Sequence, residues 1–377
     1  MIKFSQIKKN KRHNGPPFLD PHLTVGVFFI TMSNMKRKET IETERLVLRK
    51  FNINDAEAMF SNWTSDPEVT KFLTWSVHEN LETTKMILNL WVKEYQDPTT
   101  IRYGITLKDT GELVGGIDVV HYYEGSPVVG YCISRKCWNK GYMTECFRAF
   151  SDYLFSLGFK KILIEAEALN IGSNRVIQKN GFKLAGNRYQ EPGHKLVNCY
   201  ELENILETDR LVLREMADSD YKSLQAVISD PETMKYYPEP YNEAGVQKWI
   251  DWCKASQAKR GFSLWSVILK ETGQMIGDCG ISMQTIDDEL KPEIGYHLNK
   301  KYHRQGIGKE MTQAVRDYFF TRFNYEEVYS YMDVNNIPSY KTAEANDMTY
   351  LHDYQTESGE FCRVYRITRD EWKKIKK

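Results

Sequence analysis

Glu42-Thr43-Glu44-Arg45-Leu46-Val47-Leu48-Arg49 returns as Glu207-Thr208-Asp209-Arg210-Leu211-Val212-Leu213-Arg214, with seven of eight residues identical at an offset of 165. Self-similarity at a long fixed spacing marks a repeated structural unit. Asp66-Pro67-Glu68 recurs as Asp230-Pro231-Glu232, Leu107-Lys108-Asp109-Thr110-Gly111 as Leu269-Lys270-Glu271-Thr272-Gly273, and Gly130-Tyr131 as Gly295-Tyr296. The order is kept throughout, so the chain is a duplicated domain or a fusion of relatives.

Single domains cluster at ~100 to 150 residues, and 377 residues accommodate two of them. The predicted division is a disordered leader over 1–38, a first unit over 39–204 and a second over 205–377. Lys plus Arg equals Asp plus Glu at 51 each. No overall basic field draws the chain onto nucleic acid or anionic lipid, and neither is expected as a partner. The 41% hydrophobic content, with 13% aromatics, suffices for packed interiors. Seven scattered cysteines without a C-x-x-C pair suit reduced thiols in a cytoplasmic protein, not a disulfide framework or a metal site. Lys8, Lys9, Lys11 and Arg12 precede an apolar run from Leu23 to Met32, superficially the order of a secretory signal. That run is too short to span a bilayer and no A-x-A site follows it. Met35 stands just before Lys36-Arg37-Lys38, so residues 1–34 read as an extended or mis-started leader without function.

Each half predicts the same elements. Alternation over Ile41 to Phe51 gives a strand, Asn54 and Glu57 flank a helix start, and a second helix lies near 80–95. Strands follow around 102–107, 112–120 and 128–134, the first two joined by a Lys108-Asp109-Thr110-Gly111 turn. Next comes a helix whose Met143, Phe147, Phe150, Leu154 and Leu157 fall at steps of four and three, burying one stripe against a sheet. A short strand over 162–164, a helix over 173–179 and two closing strands complete the half. The expected class is α/β (α+β): two tandem domains, each a mixed, mainly antiparallel sheet flanked by helices.

Gly141 in the first half, and Gly306 with Gly308 in the second, sit where a loop feeds a helix. Unpaired N–H groups and partial positive charge at such a point suit a phosphate. Neither half contains G-x-x-x-x-G-K-[ST] or G-x-G-x-x-G, so nucleotide hydrolysis and hydride transfer lose their usual supports. Gly130 and Gly295 lie inside the preceding strand, where glycine commonly marks a bulge. A bulged strand with free backbone groups can pair with an extended amide ligand. The combination describes a pantetheine diphosphate site.

On these residues both halves resemble the GNAT acetyltransferases, closest to the branch that includes the ribosomal-protein N-terminal acetyltransferases, over roughly residues 39–377. The family's Q/R-x-x-G-x-G/A segment aligns with Trp138-Asn139-Lys140-Gly141-Tyr142-Met143 and with His303-Arg304-Gln305-Gly306-Ile307-Gly308. Trp138 and His303 depart from the Gln/Arg position, and Met143 replaces a small residue. Asn170-Ile171-Gly172-Ser173 and Asn336-Ile337-Pro338-Ser339 resemble the N-x-x-S segment, whose Asn contacts the cofactor and whose Ser lies near the thioester sulfur in relatives. Lys179-Asn180-Gly181-Phe182 matches the K-x-G-[FM] helix end, whereas Ala345-Asn346-Asp347-Met348 has lost the Lys and the Gly. Glu293 fits the family's E-I-G-Y strand, and Val128 does not.

The resemblance implies a transferase, an acetyl-CoA-dependent N-acetyltransferase acting on a primary amine. The first acceptor considered is a protein N-terminal α-amine. The alternatives are a small amine such as an aminoglycoside or polyamine, and a tandem in which one half is a non-catalytic CoA-binding pseudoenzyme. An α-amino group titrates near ~7.7 to 8, and a lysine near ~10.4 needs more help. Cofactor binding is expected from both loops, from Asn170 and Asn336, and from the strand ends Cys132-Ile133 and His297-Leu298. N–H groups near Cys132 and His297 are candidates for polarising the thioester carbonyl. Ser173 and Ser339 are candidates for protonating the thiolate, with helix N-capping as their rival role. Glu293 is a candidate base in the second half and His121 in the first. Acceptor loops are expected near 74–80 and 237–243, and the first half is expected to be the better-preserved site.

Overall fold

The computed structural model describes residues 37–191, 194–356 and 359–376. The leader expected over 1–38 lies outside them except for its last two residues, which belong to the fold. Arg37 donates to the Thr100 carbonyl at 2.6 Å, and the Lys38 carbonyl accepts from the Tyr103 hydroxyl at 2.6 Å.

In the first half β1 (Thr40–Glu42) and β2 (Leu46–Arg49) form an antiparallel pair around a turn, where the sequence predicts one strand over 41–51. The Thr43 N–H bonds to the Leu46 carbonyl at 3.0 Å and closes the turn. Short helices α1 (Ala56–Met59) and α2 (Pro67–Thr70) lead to α3 (Leu81–Glu94), whose N-cap Asn80 accepts from the Thr83 N–H. Strands β3 (Arg102–Leu107), β4 (Leu113–Tyr123) and β5 (Ser126–Ile133) form a meander. Then come α4 (Tyr142–Ser156), β6 (Lys161–Glu167), α5 (Ile171–Lys179), β7 (Lys183–Gln190) and β8 (Lys195–Glu207).

The second half repeats the plan with β9 (Leu211–Arg214), α6 (Tyr221–Ile228), α7 (Glu243–Arg260), β10 (Leu264–Leu269), β11 (Gln274–Ile286) and β12 (Glu289–Leu298). It closes with α8 (Ile307–Arg322), β13 (Glu327–Asp333), α9 (Ile337–Ala345), β14 (Thr349–Gln355), β15 (Phe361–Thr368) and α10 (Arg369–Ile375). Of the strand pairings among the described residues, only β5–β6 and β12–β13 are parallel. The fold is therefore the mixed, mainly antiparallel α/β arrangement the sequence implies.

All fifteen strands of the described residues belong to one sheet, because β8 serves both halves. Its first part pairs with β6 and β7, and Asn204 to Glu207 pair with β9. Residues 204 and 205, where the sequence divides the chain, lie within this strand. The segment contains no Gly or Pro to interrupt it. The helix α4 is also more enclosed than its single apolar stripe implies. Arg148 and Asp152 are buried along with Phe147, Phe150 and Phe155, because the second half covers the face that would otherwise meet water.

At that junction Arg214 is wholly buried between Asp152, with Nε 2.7 Å from Oδ1, and Asp220, with Nη2 2.7 Å from Oδ1. Arg148 lies 3.0 Å from Asp152 one helical turn away. Burial, with Arg214 nearby, pulls the Arg148 guanidinium down to about 10. Burial alone would raise the Asp220 carboxyl, but Arg214 holds it below the usual range.

Candidate active site

The loop between β5 and α4 takes an unusual backbone path twice over. Asn139 and Gly141 have φ of 59° and 77°, and Arg304 and Gly306 repeat the values at 59° and 77°. Left-handed residues alternating with right-handed ones turn successive N–H groups toward one point, a nest for an anion, and here the nest opens onto a helix N-terminus. The two departures from the family motif have a structural reason. Trp138 Nε1 donates to the Ile133 carbonyl at 3.0 Å, and His303 Nε2 reaches the Leu298 carbonyl at 2.8 Å. Each ring N–H ties the loop back to the strand it leaves. Met143 packs in the core beside Phe147, at 6% exposure, so its side chain stays out of the phosphate space.

The repeated E-T-x-R segment clamps this loop. Glu145, in the first turn of α4, accepts from Thr43 Oγ1 at 2.6 Å, Arg45 N at 2.8 Å and Arg45 Nε at 2.7 Å. Arg45 Nη1 then donates to the Lys140 carbonyl at 2.9 Å. In the second half Glu310 accepts from Thr208, from Arg210 N at 3.0 Å and from Arg210 Nε at 2.5 Å, and Arg210 Nη1 donates to the Gln305 carbonyl at 2.8 Å. A carboxylate beside an anion site would repel the anion, and the paired arginine offsets that charge. Sequence reasoning missed Glu145 and Glu310, although they repeat at the same offset as the motif.

Beside each loop the sheet opens. β5 pairs with β6 only at Val128–Leu163 and Val129–Ile164, and β12 with β13 only at Glu293–Tyr329. Beyond those residues the parallel strands part, leaving a wedge with unpaired backbone edges. The opening does not come from the predicted bulge in the glycine-bearing strand. In the first half the irregularity lies on β4, between Val119 and His121, and β11–β12 runs in unbroken register. Gly130 accommodates that irregularity: a Cβ there would lie 2.6 Å from Val120 Cγ2.

At the far side of the wedge Asn170 Oδ1 accepts the Ser173 N–H at 3.1 Å, and Asn336 Oδ1 the Ser339 N–H at 3.2 Å. The asparagines are the N-caps, so the capping role considered for the serines falls to their neighbours. Ser173 Oγ is free to meet the Tyr131 hydroxyl at 3.0 Å, and Tyr296 bonds Ser339 and Thr342 in the second half. The sequence shows these tyrosines, on β5 and β12, as part of the repeated Gly-Tyr pair and gives them no role. Burial pushes the Tyr131 hydroxyl up, so it remains a proton donor.

The two halves differ most in ionisable groups. Glu293 on β12 is 8% exposed, accepts from Ser282 Oγ at 2.7 Å, and burial pushes its carboxyl up to about 7. Four residues on, His297 pairs its Nδ1 with Asp278 Oδ1 at 2.8 Å. The His297 N–H donates to the same oxygen at 2.9 Å, so it is not free to polarise a thioester carbonyl, and that expectation is withdrawn for His297. Its counterpart Cys132 lies opposite Gly116, which has no side chain to take the N–H. The first half carries Val128, Cys132 and Gly116 where the second carries Glu293, His297 and Asp278. His121 lies opposite Val128, and burial lowers its imidazole. The geometry thus favours the second half, against the sequence preference for the first. Of the expected acceptor loops, the second brings Tyr237 to 5.3 Å from the His297 ring, and the first sets Trp75 at 5.2 Å from the His78 ring, tilted by 45°.

The sequence profile of the Acetyltransferase (GNAT) domain matches residues 45–183 and again 210–349. The chain belongs to the GNAT acetyltransferase family. This tandem GNAT protein is an N-acetyltransferase, with two family domains in one chain. It is similar to the uncharacterized protein YkkB of Bacillus subtilis, 32% identical over 38% of this chain and 85% of that one. It is similar as well to the uncharacterized N-acetyltransferase p20 of Bacillus licheniformis, 29% identical over 43% of this chain and 93% of the relative. Among solved structures, a GNAT-family acetyltransferase from Bacillus anthracis aligns with 44% of this chain and 98% of its own, at 26% identity and a TM-score of 0.39. No helix among the described residues of the GNAT tandem is long and apolar enough to cross a membrane, and no group of three His, Cys, Asp or Glu there could hold a metal ion.

Proposed function

We propose that the second half, within 205–377, transfers an acetyl group from acetyl-CoA to a primary α-amine, and that the first half, within 39–204, binds the same cofactor without a counterpart of the Glu293 carboxylate. The observation that carries this reading is Glu293, a buried carboxyl titrating at about 7 beside the opening between β12 and β13. A base transfers protons best when its affinity is close to that of its partner. An α-ammonium titrating at ~7.7 to 8 is within about a unit of Glu293, and a lysine at ~10.4 is more than three units away.

The residues present fit acetyl-CoA. The nests at 138–142 and 303–307 offer N–H groups to a diphosphate, and the parted strand edges offer pairing to the amides of an extended arm. Bound acetyl-CoA supplies the thioester. Glu293 takes the amine proton, β12 aligns the acceptor nitrogen over Gly295, and Ser339 with Tyr296 lies where the departing sulfur can be hydrogen-bonded. Holding both reactants in register contributes much of the acceleration.

The test uses the full chain, acetyl-CoA and a lysine-containing peptide with a free α-amine, with the acetylated position located by mass spectrometry. α-Acetylation with thiol release supports the reading. Modification of lysine alone, or turnover only with aminoglycosides or polyamines, overturns its acceptor class.

A further inference from the structure

Acylating an ammonium removes two protons from one nitrogen: the first frees the lone pair that attacks, and the second leaves as the amide forms. Glu293 accounts for one. A second buried acceptor stands on the same strand face. Glu293, Gly295 and His297 alternate along β12 and so face one side of the sheet. The Glu293 carboxylate leans over the glycine, with Oε2 3.1 Å from where a Cβ at 295 would sit. Glycine at 295 keeps this strand face free of a side chain between Glu293 and His297, and the carboxylate lies over it.

The state of the imidazole follows from its partners. Asp278, with no exposure, accepts from Trp249 Nε1 at 2.9 Å, from the His297 N–H at 2.9 Å and from His297 Nδ1 at 2.8 Å. Trp249 Nε1 and the His297 N–H already donate to Asp278, and in the tautomer with the ring proton on Nδ1, facing Asp278, Nε2 presents a lone pair. Nε2 is buried and meets no donor among the described residues, in a residue 5% exposed. With Nδ1 turned toward β11, Nε2 is turned away from it. Trp249 and Tyr237 each hold the ring at a centroid distance of 5.3 Å. A buried acceptor without a donor is costly in a structural role, and a bound N–H would relieve that cost.

We propose that His297, positioned by Asp278, is a second catalytic base of the second half, which takes up the acceptor as an ammonium beside Glu293 on the same strand face. This rests on the reading that the second half transfers acetyl. The ammonium gives its first proton to Glu293. The freed lone pair forms the C–N bond at the thioester carbonyl carbon, whose π electrons pass to oxygen. When the carbonyl re-forms, the C–S bond breaks and sulfur leaves with the bonding pair. The nitrogen gives its second proton to His297 Nε2, and the thiolate takes one from water. Glu293 and His297 then shed theirs to solvent, so one amide, one thiol and one released proton balance the sum. Tyr237, beside the imidazole, is the residue the acceptor displaces to reach Nε2.

The experiment measures thiol release by the full chain with the α-amine peptide, for wild type and His297→Ala, with and without added imidazole, alongside acetyl-CoA binding by calorimetry. The expected result is a loss of at least about 100-fold in kcat, unchanged acetyl-CoA affinity and partial recovery with imidazole. His297→Gln, of similar size but without a basic nitrogen, shows the same loss without recovery, and decides the matter if the alanine variant does not fold. Turnover within threefold of wild type in either variant overturns the proposal, as does a loss in the folded alanine variant that imidazole does not relieve. A wild-type chain inactive on every amine instead overturns the acetyl-transfer reading, and this proposal with it.

Discussion

Arg214, on the first complete strand of the second half, places its guanidinium 2.7 Å from the carboxylate of Asp152, on the long helix of the first, with both side chains buried. The pair fixes one half against the other. In the first half the matching arginine, Arg49, pairs with one carboxylate, Asp55 at 2.8 Å, and its side chain is 30% exposed. In the second half Asp317, matching Asp152, turns instead to Trp372 Nε1 at 2.8 Å and Lys376 at 2.6 Å around α10.

Removing one partner of a buried ion pair strands the other charge. Asp152→Ala should therefore destabilise the chain by about 3 kcal/mol or more, whereas Asp317→Ala, at a partly exposed position, should cost about 1 kcal/mol or less. Denaturant unfolding of both variants reads the difference. Equal, small losses would show that the junction does not depend on Arg214.

The clamp on each loop predicts a binding effect separate from catalysis. Arg210→Ala frees the Glu310 carboxylate beside the nest and removes the bond to the Gln305 carbonyl, so acetyl-CoA affinity in the second half should fall about tenfold, or ~1.4 kcal/mol. Arg45→Ala should do the same in the first half. Calorimetry on the full chain resolves the two sites, and unaltered binding in both variants contradicts the clamp.

Glu293 predicts a pH dependence of stability with a definite sign. Its folded value, about 7, lies above the ordinary 4.5, so the folded state binds the proton more tightly than the unfolded chain. This contribution is complete below about pH 4.5 and is lost as pH rises through 7, up to about 3 kcal/mol for a shift of this size. Glu293→Gln lacks the titration. Wild-type stability relative to that variant should fall between pH 5 and pH 8, and a constant difference would place the carboxyl in water.

The duplicated plan and the loop-to-helix junctions are legible because they rest on short-range signals: an eight-residue repeat and a glycine before an amphipathic stripe. The site chemistry is less so. Asp278 and His297 meet through cross-strand register, which residue spacing does not fix, and charged residues such as Arg148, Asp152 and Arg214 read as surface until a second domain covers them. The asymmetry is half visible: Val128 stands where the second half has Glu293, but the loss of the His297 and Asp278 counterparts appears only when β4 and β5 are laid over β11 and β12.

The central claim is that one half does the chemistry, and it is tested by acetyl-CoA thiol release from the full chain carrying Glu293→Gln, set against Val128→Thr at the matching place in the first half. The predicted result is a drop of about 100-fold or more for Glu293→Gln and a rate within twofold of wild type for Val128→Thr. A Glu293→Gln chain that keeps its full rate would contradict the account.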